Sequence, residues 1–176
     1  MAFIMMPIGP LMIEHRLIEK MIALLGKEAD RIERERTIRP EFIKTAVDFI
    51  RTYADKCHHG KEEDILFKAL ADKPLSAEHR KILNELIEEH KYGRKVTAEL
   101  VAATEPAAMV KALRTLAGFY PPHIEKEDKH FFIPVMAYFS KEEQDAMLAT
   151  EYEFDRQLIH EIYKVKVEAA QKAFKL

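Results

Sequence analysis

The sequence predicts an all-α protein: an antiparallel up-and-down four-helix bundle with an additional C-terminal fifth helix. Three observations predict it. Leu, Ile, Ala, Glu and Lys, mostly strong helix formers, dominate the composition, and only five of 176 residues are glycine. No Asn-Gly or Asp-Gly pair marks a β-hairpin. Apolar residues recur at helical spacing between proline and serine boundaries.

The first helix is expected to open near Pro10, a residue suited to a first turn. Leu11, His15, Ile18 and Ile22 follow on one face. Beyond Gly26 the charged run over 27–36 continues the helix and reads as a solvated face. The second helix starts around Pro40 and ends before Pro74. Its first half carries an apolar stripe of Phe42, Ala46, Phe49, Ile50, Tyr53 and Cys57, and its second half a stripe of His59, Glu63, Leu66 and Leu70. At 100° per residue the two stripes do not line up. Either Gly60 marks a local distortion or the helix is buried on more than one side.

Ser76 is a good N-cap for a third helix with Leu83, Leu86, Ile87, His90, Leu100 and Val101 on its face. The fourth opens near Pro106 and carries Met109, Val110, Leu113, Leu116 and Tyr120. Pro121 and Pro122 should kink or restart it before it runs on to about Pro134. Ser140 with Glu143 forms a capping box for a fifth helix, expected to continue to the C-terminus with Leu148, Phe154, Leu158, Ile162 and Val165 as its stripe.

The chain contains an internal repeat. His59-Gly-Lys-Glu-Glu63-Asp-Ile-Leu-Phe67 matches His123-Ile-Glu-Lys-Glu127-Asp-Lys-His-Phe131, both reading His-x-x-x-Glu-Asp-x-x-Phe. An isolated histidine precedes each copy on the preceding helix, His15 and His90. Four of the eight histidines have a glutamate four residues on, so the shared Glu-Asp-x-x-Phe context is what selects His59–Glu63 and His123–Glu127 over His15–Glu19 and His58–Glu62. His58 and Glu62, each one residue round the helix, are expected at the surface or behind the site. Two helix-pair halves thus aim His15, His59, Glu63, His90, His123 and Glu127 into the bundle. Burying such carboxylates alone costs several kcal/mol each, and a pair of divalent cations cancels the charge. Nitrogen and oxygen donors without thiolate suit non-haem iron, with zinc and manganese as competitors.

This order of residues resembles the hemerythrin-like (HHE cation-binding) family. The supporting segments are Ile13-Glu-His15-Arg-Leu-Ile-Glu-Lys, Glu89-His90-Lys-Tyr-Gly-Arg94, His123-Ile-Glu-Lys-Glu127-Asp and Glu153-Phe-Asp-Arg-Gln-Leu-Ile-His160-Glu. The resemblance implies a four-helix bundle around two iron ions in an oxo-bridged di-iron centre, with zinc or manganese as possible substitutes. It also implies a small diatomic ligand, dioxygen or nitric oxide, and a role in sensing, storage, scavenging or iron handling under oxidative or nitrosative stress. Unlike oxygen-carrying hemerythrin, the chain has Arg94 four residues after His90 and Glu127 as its last carboxylate. It is closer to the di-iron domain of repair-of-iron-centres proteins.

One domain over 1–176 is expected, with an N-terminal segment at 1–10, the metal-binding bundle at 11–136 and the C-terminal helix at 140–176. With 28 basic and 30 acidic residues and a net charge of −2, there is no general electrostatic case for nucleic acid or an anionic membrane. The single cysteine, Cys57, forms no internal disulfide, so a reducing compartment, the cytoplasm, is the expected location. Two rival readings are a ferritin-like di-iron oxidase or peroxidase, for which the bundle offers only one Glu-x-x-His match, Glu127–His130, and a metal-free interaction bundle. His130 and Tyr120 are placed by the spacing on the side of His123, with core or surface roles expected.

Overall fold

A computed structural model describes residues 6–155 and 159–173, and all regular structure among them is helical. Helix α1 spans Ile8–Glu35. Helix α2 covers residues 40–71 without a break: Pro40–Asp48 is α-helical, Phe49–His59 and Glu62–Phe67 are π-helical, and Lys68–Ala71 closes it. Helix α3 is Ala77–Ala102, with the Ser76 hydroxyl accepting from the His79 N–H. Helix α4 covers residues 106–135 and contains a π-helical turn at Glu127–Phe131; a 3₁₀ turn at Met136–Tyr138 follows. Helix α5 is Lys141–Phe154, opened by the expected Ser140–Glu143 capping box, and α6 is Ile159–Ala173.

The core falls into two apolar clusters. One joins Ile18 to Ile32 of α1, the first half of α2, the end of α3 near Leu100, the start of α4 from Met109 onward, and Tyr163 and Val167 of α6. The other joins the start of α1, the end of α2, the start of α3, the end of α4 and Met147. Starts meeting ends in alternation is the mark of an antiparallel bundle. A buried polar layer lies between the clusters, at His15, His58 to Glu62, His90 and His123 to Glu127.

Several expectations are corrected. Helix α1 begins at Ile8, with Pro10 inside its first turn, while residues 1–5 of the expected N-terminal segment lie outside the described residues. The run over 27–36 is not all solvated: Glu28 and Arg31 are buried and paired at 2.6 and 2.9 Å, because Arg31 also caps the chain exit by donating to the Thr37 carbonyl. Helix α4 continues through Pro121 and Pro122 without restarting. The carbonyls that lose their donors are those of Ala117 and Gly118, and Gly118 is exposed, which leaves its carbonyl open to solvent. The fifth helix is divided: α5 ends at Phe154, and α6 is described from Ile159. Met147, Glu151, Tyr163 and Val167 are buried, whereas Phe154, Ile162 and Val165 are exposed. A stripe drawn across 140–165 presumes one continuous face, which this division removes. Leu158 lies outside the described residues.

Candidate metal centre

The π-helical stretches of α2 decide which side chains enter the polar layer. Hydrogen bonds from i to i+5 widen the turn, so each residue advances less than 100° around the axis. The misaligned stripes of α2 have this cause. His58 and His59 both fall on the buried side, and Glu62 rather than Glu63 comes inward. Glu63 turns outward with its side chain 32% exposed, accepting from His90 Nδ1 at 2.7 Å and from Arg94 at 2.7 Å.

Five imidazoles and two carboxylates converge. His15, His58, Glu62 and Glu127 bring donor atoms within 4.8 Å of one another, as do His59, His90 and His123. The two carboxylates span the groups. Glu62 sets Oε1 3.3 Å from His58 Nε2 and Oε2 3.2 Å from His90 Nε2. Glu127 sets Oε2 3.2 Å from His15 Nε2, and Oε1 3.4 and 3.6 Å from His123 and His90 Nε2. The five imidazoles are oriented alike. Each directs Nδ1 at an outer carboxylate: His15 at Asp128 (2.7 Å), His58 at Glu14 (2.8 Å), His59 at Asp55 (3.1 Å), His90 at Glu63 and His123 at Glu89 (2.8 Å). An ionised carboxylate only accepts, so Nδ1–H donates and the Nε2 lone pair faces inward. Phe132 stacks on His15, Phe67 on His90 and Phe119 on His123, walling the layer from water.

The residues fit a metal. Both oxygens of Glu62 and of Glu127, and Nε2 of His90 and His123, are buried without a hydrogen-bond partner among the described residues, a state that native interiors avoid. The Nε2 atoms of His15 and His58 face each other at 2.8 Å. Burial, and then the neighbouring imidazoles, hold His59 well below its ordinary value and so neutral. Burial would also raise Glu127, but His123, His15 and His90 outweigh it and keep the carboxylate ionised. Without a cation the charge is met instead by protons on two of the imidazoles. His15 rises to about 10 against its burial through Asp128 and Glu127, and His90 to about 11 through Glu127, Glu62 and Glu63.

Five of the six residues singled out in the sequence therefore meet in this layer, and Glu63 does not. His58 and Glu62 were missed; the unexplained offset in α2 was the signal that pointed to them. His130 is exposed, so the Glu127–His130 pair does not bring a second imidazole inward as a ferritin-like oxidase requires. Tyr120 is buried, its ring 6.4 Å from those of His59 and His123.

Glu151 lies outside the layer, buried on α5 with neither oxygen hydrogen-bonded among the described residues. Burial raises it to about 8; Lys61 opposes this, and Glu14, Asp155 and Glu62 reinforce it. The unfolded chain ionises this group near pH 4.5, the folded chain only near 8. Its contribution to stability is therefore intact below pH 4.5 and lost as pH rises through 8. In chelator-treated protein, Glu151→Gln is expected to melt several degrees above the wild type at pH 9 and to converge with it near pH 4, as thermal melts across pH will check.

An antiparallel helical bundle whose central layer buries converging imidazoles and spanning carboxylates defines the class of helical cation-binding proteins. Residues 6–135 match the model of the Hemerythrin HHE cation binding domain, and the chain belongs to that family. Searches of curated proteins and of solved structures returned no match. No helix among the described residues is long and apolar enough to cross a membrane.

Proposed function

We propose that the chain is a non-haem di-iron protein that binds a small ligand, dioxygen or nitric oxide, in a sensing, storage, scavenging or iron-handling role in the cytoplasm under oxidative or nitrosative stress. His15 and His58 would hold one cation and His59, His90 and His123 the other, with Glu62 and Glu127 as the carboxylate ligands between the two groups. The set differs from the one read in the sequence by replacing Glu63 with Glu62 and adding His58. Zinc or manganese is an alternative occupant of the same donors. What supports the reading above all is the pair of buried, spanning carboxylates whose oxygens have no hydrogen-bond partner among the described residues.

Iron supplies, when bound there, a redox-active Lewis acid for a small ligand. The protein's own part is orientation and exclusion. Five outer carboxylates fix the imidazole rings and raise their basicity. The stacked phenylalanines keep bulk water away from the layer. Arg94 ties two of the outer carboxylates together, bonding Glu63 at 2.7 Å and Asp55 at 3.1 Å, and so couples the orientation of His90 to that of His59.

Metal analysis of anaerobically purified protein tests the reading. About two irons per chain are expected in the wild type, with clear losses in His59→Ala and Glu127→Ala. Two irons retained by both variants would overturn the assignment.

A further inference from the structure

A second set of donors lies behind Glu14, on the side away from His58. Cys57 Sγ, His160 Nε2 and one oxygen each of Glu14 and Asp155 all fall within 4.8 Å of one another. Cys57 Sγ is 3.4 Å from Asp155 Oδ1 and 3.9 Å from His160 Nε2. His160 Nε2 is 2.7 Å from Glu14 Oε1 and 3.8 Å from Asp155 Oδ1. A tetrahedral cation with ligands at 2.0–2.3 Å separates them by about 3.3–3.8 Å, so two of the four spacings already suit one.

The charges point the same way. Lys61 is fully buried and pairs with both Glu14 and Asp155, which leaves one net negative charge on the cluster. Glu151 stands one helical turn before Asp155, fully buried, its oxygens without a hydrogen bond. A thiolate and two carboxylates against Lys61 and a divalent cation sum to zero. The way in is also present: His160, its side chain 35% exposed, lines a surface groove of about 530 Å³ with Pro10, Ile13 and Tyr53.

We propose that Cys57, His160, Glu14 and Asp155 form a second metal site, for one divalent cation of the zinc class. A sulfur, a nitrogen and two oxygens are a donor set suited to zinc. Binding forms the metal–sulfur bond and releases the thiol proton to solvent, with no change of oxidation state. Lys61 stays on the carboxylates as an outer counter-charge, and Glu14 joins the two metal sites through its bond to His58. Asp155 and His160 both lie beyond residue 135, where the match to the family ends.

Cobalt(II) titration of the full-length purified protein tests this. One equivalent is expected to produce a near-ultraviolet thiolate-to-cobalt charge-transfer band, which zinc then bleaches. Cys57 is the only cysteine, so the wild-type band alone assigns the ligand even if a variant misfolds. Cys57→Ser is expected to lack the band, and His160→Ala to weaken zinc binding at least tenfold. His123→Ala, which removes a ligand of the central layer in the reading above and so lowers its iron content, keeps the band, so the two assignments fail separately. Absence of the band in the wild type, unchanged zinc affinity in His160→Ala, or a band that disappears together with iron in His123→Ala overturns the proposal.

Discussion

Glu62→Ala is expected to cost the protein at least one of its two irons, whereas Glu63→Ala retains both with affinity lower by about 10–100-fold, the usual effect of losing an outer-shell partner. The two residues are neighbours in sequence and carry the same chemistry, so only geometry separates them. Glu62 directs one oxygen at His58 and the other at His90, and neither has another partner. Its removal takes an oxygen donor from both halves of the layer. Glu63 reaches the layer only through His90 Nδ1, and Arg94 shares the same oxygen. Its loss loosens one ring while that ring's Nε2 stays in place. Metal analysis and competition against a chelator measure both effects. The reverse ranking would mean that α2 turns at ordinary α-helical pitch through this stretch.

The second large effect is expected at Lys61. Lys61→Met keeps the length of the side chain but deletes a fully buried ammonium held by Glu14 and by both oxygens of Asp155, at 2.9 and 2.8 Å. Breaking a buried pair from one side strands the opposite charge, at a cost of about 3–5 kcal/mol. For a chain of this size that corresponds to roughly 6–20 °C in Tm. The comparison is Lys73→Met, which removes a pair with the half-exposed Glu143 side chain and should lower Tm far less, as for surface pairs in general. Thermal melts of both variants in chelator keep metal affinity out of the measurement. Equal, small losses would show that Lys61 is solvated. The loosening should concentrate at the C-terminal pair of helices, because Asp155 closes α5.

Much of the fold was legible because its signals are local. Ser76 and Ser140 each stand immediately before a helix and Pro40 and Pro106 each open one, since capping and the geometry of proline act within one turn. The core face of α1, from Leu11 to Ile22, follows from period alone. The division of the last helix was not legible, since Ser140 announces a start and no Gly or Pro between 140 and 159 announces a stop. The buried Glu28–Arg31 pair was equally hidden, because a charged run looks the same whether one of its faces is covered or not.

At the centre, the order of isolated histidines and His-x-x-x-Glu repeats placed His15, His59, His90, His123 and Glu127 on inward faces, and the bundle brings those five together. The choice between Glu62 and Glu63, and the entry of His58, belong to the wide turns of α2. Hydrogen-bond register there departs from 3.6 residues per turn, and a periodicity argument carries no information about that departure. Cys57 meets Asp155 and His160 across about a hundred residues of chain. No local rule links such positions; only the packing of the C-terminal helices against α1 and α2 makes them neighbours.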